Sequence, residues 1–147
     1  MHNQGMIFSH QVGFNFVYRI LDISIIFLFL NLSTQCYGVT YSSLYTTAGL
    51  IASIVFILSA ESLGVYRSWR ASTAVRMLTT VAGAWALASV IFFVLVFFTK
   101  ISDSLSRIAV GSWIVASYLG LAAWRMALRW LLRSMRSKGY NTRTAAI

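Results

Sequence analysis

Residues 23–60 form a run of 38 positions without one Asp, Glu, Lys, Arg or His. About 20 residues cross a bilayer core as helix, so this run is too long for a single span. Gly38, Thr40, Ser42 and Ser43 near its middle supply turn chemistry. The spacing therefore predicts two spans, near residues 18–37 and 44–63, joined by a short polar turn. Residues 77–99 make a third uncharged run of 23 positions. Residues 108–124 make a fourth, of 17, bracketed by Arg107 and Arg125, whose long stems can snorkel to the interfaces. The sequence contains no proline, so unbroken helices are permitted throughout.

The rest of the composition agrees with a chain solvated by lipid. It is 59% hydrophobic and 10% charged, whereas a water-facing surface needs about a quarter to a third of its positions charged. Soluble enzyme classes are excluded on that ground. Twelve Lys and Arg stand against three acids, Asp22, Glu61 and Asp103, for a formal charge of +9. The expected partner is anionic. Nucleic acid would want a soluble basic face with stacking aromatics; here the cations are split between apolar runs, which fits membrane lipid phosphate and not nucleic acid. Cys36 stands alone, and His2 and His10 have no nearby carboxylate, so no disulfide and no metal site is expected.

Cationic loops are retained on the cytoplasmic side of a membrane. Arg19, Arg67, Arg70, Arg76 and six more between residues 125 and 143 fall on one side, whereas the other has only Lys100 and Arg107. The expected architecture is all-α and polytopic, with four transmembrane helices, both termini cytoplasmic and a basic amphipathic C-terminal helix extension. Residues 1–17 are expected as a cytoplasmic leader, 18–135 as the four-helix domain and 136–147 as a cytoplasmic exit segment. The first fifteen residues lack Lys and Arg and no small-residue cleavage site follows, so a cleaved signal peptide is rejected. The five tryptophans, Trp69, Trp85, Trp113, Trp124 and Trp130, fall mostly near span ends, the pattern of an interfacial aromatic belt. Small residues repeat every four positions, at Ala48/Ala52, Gly49/Ser53, Ala82/Ala86, Ala84/Ala88 and Ser112/Ala116/Gly120, and mark packing seams.

Three places could carry chemistry. Arg19 and Asp22, three apart, share a helix face and can neutralise each other, while Glu61 closes the second span beside Arg67 and Arg70. Structural ion pairing and proton coupling are both open for these acids. The second loop, with Arg67, Trp69 and Arg70, is either a lipid-phosphate cradle or a plain cytoplasmic anchor. Arg125, Arg129, Arg133 and Arg136 fall within about 80 degrees of a helix circumference, with Leu128, Leu131 and Met135 opposite, which suits contact with lipid phosphate or the membrane surface. No Gly-rich phosphate loop, G-x-S-x-G or H-E-x-x-H occurs, and three scattered acids do not assemble a catalytic centre.

The R-x-x-D at Arg19 and Asp22, the YRSWR of residues 66–70 and the RSKGYNTRTAAI of residues 136–147 resemble the N-terminal membrane region of undecaprenyl-phosphate glucose phosphotransferases. These are polyisoprenyl-phosphate sugar-1-phosphate transferases of the colanic-acid type, which initiate exopolysaccharide and capsule assembly. The resemblance covers nearly the whole chain. It implies a bacterial inner-membrane module with undecaprenyl phosphate as a lipid partner, and a following cytoplasmic catalytic domain that uses Mg2+ and an acidic pair. No cofactor and no catalytic residue is expected in this chain, so the module alone is expected to be inactive; self-association is open. A second reading is transport: a stand-alone four-helix flippase of polyprenyl-linked sugar, GtrA-like, or a small exporter. Topology is testable with reporter fusions at Thr40, Ser72, Asp103 and Ile147. Ser72 and Ile147 should report cytoplasmic and the other two external, and an external signal at Ser72 refutes the arrangement.

Overall fold

The computed structural model describes residues 4–66 and 73–137, with side chains from residue 13 onward except that of Arg136. Every regular element among the described residues is helical: α1 (Gln4–Cys36), α2 (Ser43–Ser62), α3 (Ala74–Phe98) and α4 (Arg107–Ser137), with a short 3-10 turn at Ile101–Ser104 between the last two. All four helices are long and apolar enough to cross a membrane. At about 1.5 Å per residue the 20-residue α2 spans roughly 30 Å, one hydrocarbon core, while α1 with 33 residues and α4 with 31 run well past it. Helix begins at Gln4, so the described part of the expected leader continues the first span without a break.

The helices form a ring in chain order. α1 packs on α4 and α2 on α3, with lighter contacts joining α1 to α2 and α3 to α4. Depth markers show that α1 and α4 are antiparallel: Ser112 donates to Ser33 at 3.3 Å near one end, the Trp113 indole to the Ile26 carbonyl at 2.9 Å, and Arg125 reaches Asp22 near the other end. The Trp85 indole likewise donates to the Ile114 carbonyl at 2.9 Å, tying α3 to α4. Trp85 and Trp113 are buried, with Phe56 edge-on to one and Phe92 edge-on to the other. These two indoles thus belong to the core and not to an aromatic belt, because a Trp N–H in an apolar interior needs an acceptor and a neighbouring helix's carbonyl supplies one.

Helix ends follow from residues that tolerate a left-handed backbone. Gly38 (φ 62) closes α1 with Gly38 N–H to Gln35 and Val39 N–H to Thr34; Gly64 (φ 71) closes α2 with Gly64 N–H to Glu61 and Val65 N–H to Ala60. Both are the paired capping bonds that glycine permits one position past a helix. α3 ends on Lys100 (φ 56), a residue with a Cβ in that region, whose N–H donates to the Phe97 carbonyl. Thr73 caps the start of α3 through Arg76 N–H at 3.3 Å.

Small residues sit at the seams. Ala48, Ala52, Ser53, Ala84 and Ala88 are buried, and a Cβ on Gly49 would stand 2.8 Å from the Phe27 ring. A Cβ on Gly120 would overlap the Phe29 ring, whereas one on Gly111 meets open space. The Ala82/Ala86 pair is not a buried seam, since Ala86 is exposed on the outer face of α3. Gly120→Ala should therefore lower thermal stability in detergent by about 1–3 kcal/mol through overpacking of α1 against α4. Gly111→Ala on the same helix should leave it unchanged, and equal effects of the two would refute this account of the seam.

A buried charge cluster at one end of the bundle

The turn that ends α2 also builds a site. Gly64 reverses the chain so that Val65 enters the core and Tyr66 reaches back over α1. There the Tyr66 hydroxyl donates to Asp22 Oδ2 at 2.9 Å. Arg125 of α4 donates Nη2 to the same oxygen at 2.6 Å, and the neighbouring Trp124 indole donates to Oδ1 at 3.0 Å. Asp22 is fully buried and Arg125 is 5% exposed. Each carboxylate oxygen is thus answered, by three donors from α4 and the α2 turn.

Aromatic rings close the cluster. The Arg125 guanidinium lies 5.8 Å from the Tyr66 ring centre and 5.4 Å from that of Trp124, and Tyr18 packs against Trp124 at 5.2 Å. Arg125 Nε is buried without a hydrogen-bond partner among the described residues, and these ring faces, which attract a cation, border its group. Arg19 sits 5.4 Å from the other contact of this system, the Tyr66 ring, and pairs with Glu61 at 3.1 Å. The latter pair is partly exposed, so it adds at most about 1 kcal/mol. Burial, and next the Asp22 carboxylate, push the Tyr66 phenol well above its ordinary range, so it stays a donor through the physiological pH interval.

The three residues expected as ion-pair formers are all here, with different partners. Arg19 goes to Glu61 across the α1–α2 contact, and Asp22 takes Arg125. A same-helix pair at three positions shares a face, but Asp22 turns inward and its nearest cation in the ring is on α4. Arg125, expected to contact lipid phosphate or the membrane surface, is instead drawn into the bundle by the carboxylate. Arg129 is half-buried and Arg133 exposed further along α4. Arg67, Trp69 and Arg70, and the side chain of Arg136, lie outside the described residues. Sequence reasoning passed over Tyr66, Trp124 and Arg125 as a set of donors to Asp22. The available signal was parity: an acid at the start of a first span and an arginine at the end of a fourth lie at the same end of an antiparallel ring.

The fold and this cluster define a multi-pass membrane bundle locked at one end by a buried ion pair. The chain belongs to the family described as a CoA-binding domain, whose model matches residues 61–147. It is also 28% identical over 131 residues to the UDP-glucose:undecaprenyl-phosphate glucose-1-phosphate transferase of Escherichia coli (strain K12), a match that covers 89% of this chain and 28% of that protein. The chain thus spans well under a third of that relative's length. No solved structure matches. The family description implies coenzyme A, a phosphate-rich nucleotide that needs a cationic, polar seat. The described part of the matched segment is mainly α3 and α4, and a hollow of about 420 Å³ there is lined by Phe93, Val94, Val96, Phe97, Phe98 and Ser102, with no cation. These residues do not fit that group.

Removing one partner of a buried pair leaves the other charge uncompensated, which costs about 3–5 kcal/mol. Asp22→Leu and Arg125→Leu should each destabilise the bundle on that scale. Tyr66→Phe, which deletes one neutral donor, should cost about 0.6–1.7 kcal/mol, the range for membrane hydrogen bonds. In a double-mutant cycle of thermal denaturation in detergent, Asp22→Leu with Arg125→Leu should recover most of the single losses. Additive losses refute the pairing.

Proposed function

We propose that this chain is the membrane-anchoring module of a bacterial undecaprenyl-phosphate sugar-1-phosphate transferase that initiates exopolysaccharide repeat-unit assembly on the lipid carrier. In this reading it sits in the inner membrane with both ends cytoplasmic, and α4 leads toward a cytoplasmic catalytic domain. The observation that carries the reading is the Asp22–Arg125 pair at 2.6 Å. It pins α4 to α1 at the level where α2 ends, so the direction of the helix beyond that point is fixed by the bundle. A domain borne on a directed helix is held at the leaflet where its lipid acceptor lies, and its effective concentration rises without any new contact to the reactants.

Transfer of a sugar phosphate from a nucleotide donor needs charge neutralisation, in general through a divalent ion held by free carboxylates. In this chain Asp22 and Glu61 are engaged by arginines, and Asp103 lies in the 3-10 turn at the opposite end of the bundle. Those carboxylates do not converge. Mg2+ in this reading belongs to the catalytic domain of the parent enzyme, and undecaprenyl phosphate is the lipid that both parts meet.

The test is a radiolabelled nucleotide-sugar assay with Mg2+ and undecaprenyl phosphate, run on this chain and on a longer polypeptide of the relative's length that contains it. Only the longer protein should label lipid. Turnover by this chain alone refutes the anchoring role.

A further inference from the structure

The face of α1 turned away from the bundle has a pattern of its own. Asp22, Ile26, Leu30 and Ser33 are buried against the other helices. On the opposite side Val17, Leu21, Ser24, Leu28, Asn31 and Gln35 are all exposed. Their spacing alternates steps of four and three, the register of a seam between two helices that pack along each other. Two of the six are amides. Asn31 Oδ1 accepts from Gln35 Nε2 at 2.9 Å, which leaves the Asn31 NH2 group and the Gln35 carbonyl oxygen without a partner among the described residues. Asn31 lies about 8 Å inside the end of α1 at Cys36, among acyl chains that supply neither donor nor acceptor. The outward rows of the neighbouring spans differ: Leu50, Ile54 and Leu58 on α2, and Val115 and Leu119 on α4, are exposed and apolar.

We propose that this row is the interface of a parallel homodimer, in which α1 packs along α1 of a second copy and the Asn31 amides hydrogen-bond across the axis. Copies inserted in one membrane share one topology, so a two-fold axis between them runs along the membrane normal and sets each seam residue against its own counterpart. A charge in such a row would face itself. The row has none, since Arg19 lies off it and is paired with Glu61. An amide both donates and accepts, so Asn31 is complementary to its own copy, and a second copy carries it at the right depth by symmetry. Ser24 donates to the Ile20 carbonyl at 2.8 Å, and its small side chain lets two backbones approach there. The inference rests on the outward face of α1 and is independent of the transferase reading.

The test is energy transfer between copies of the full chain in vesicles, labelled with donor and acceptor fluorophores at the sole cysteine, Cys36, which is exposed and off the row. Transfer should exceed that of randomly placed labels and fall with added lipid as a dimer dissociates. Asn31→Leu, close in volume, should weaken association about 3- to 20-fold, the factor that one membrane hydrogen bond supplies. Asn31→Gln, which keeps the amide, should retain most of it. In a Cys36→Ser background, Leu28→Cys should be oxidised to a disulfide-linked dimer, whereas Ile54→Cys, similarly exposed on α2, should not. Transfer at the random level, undiminished association in Asn31→Leu, equal loss in the two Asn31 variants or equal cross-linking of the two cysteine variants overturns the proposal.

Discussion

A negative charge sits at Asp22 where no water reaches it, and the placement of α4 and of the α2 turn at that end follows from the need to answer it. Two unit charges about 4 Å apart attract by roughly 4 kcal/mol at an effective dielectric of about 20, whereas desolvating each ion costs several. The pair with Arg125 is thus close to neutral in net stability. Its force is in what it forbids: any sliding or rotation of α4 that parts the two charges leaves both of them stranded. Tyr66 and Trp124 complete the shell, so the α2 turn and the α4 exit are fixed by the same carboxylate.

Much of this fold was legible as sequence. The number of spans followed from where charge is missing, and the hairpin turns from Gly38 and the polar residues after it, which do supply a left-handed cap. The interior of the bundle was less legible. Period and hydropathy place Trp85 and Trp113 within helices but do not say which way an indole faces, and the belt assignment failed because their N–H groups find carbonyls on a neighbouring helix. The site was half legible. Arg19, Asp22 and Glu61 stood out as membrane-edge charges, but their pairing depends on the ring order of the helices, which no local pattern encodes. The arginine row on α4 was legible from its spacing; that its first member is a core residue depends on the facing carboxylate.

The two ends of the bundle are built on different chemistry. The end with Asp22 is tied by charge and aromatic rings. The hairpin end is tied by neutral hydroxyls: the Ser106 N–H donates to the Tyr45 hydroxyl at 2.9 Å, and Ser112 meets Ser33 at 3.3 Å. Neutral bonds of this kind contribute modestly in membranes, about 0.6 kcal/mol on average. Local opening is therefore easiest at the hairpin end, where Lys100 also holds a backbone conformation that its Cβ disfavours.

The indole bonds to Ile26 and Ile114 place an uneven demand on the sequence. A backbone carbonyl is present whatever residue carries it, so the accepting positions are free to change side chain as long as the helix and its packing survive. The donors have no such freedom, because a ring of this size with an N–H at its edge has no substitute among the other side chains. In a set of diverged sequences Trp113 and Trp85 would hold fixed while their acceptors drift. A method that infers contacts from paired substitutions would then miss the two bonds that set the depth register of α4.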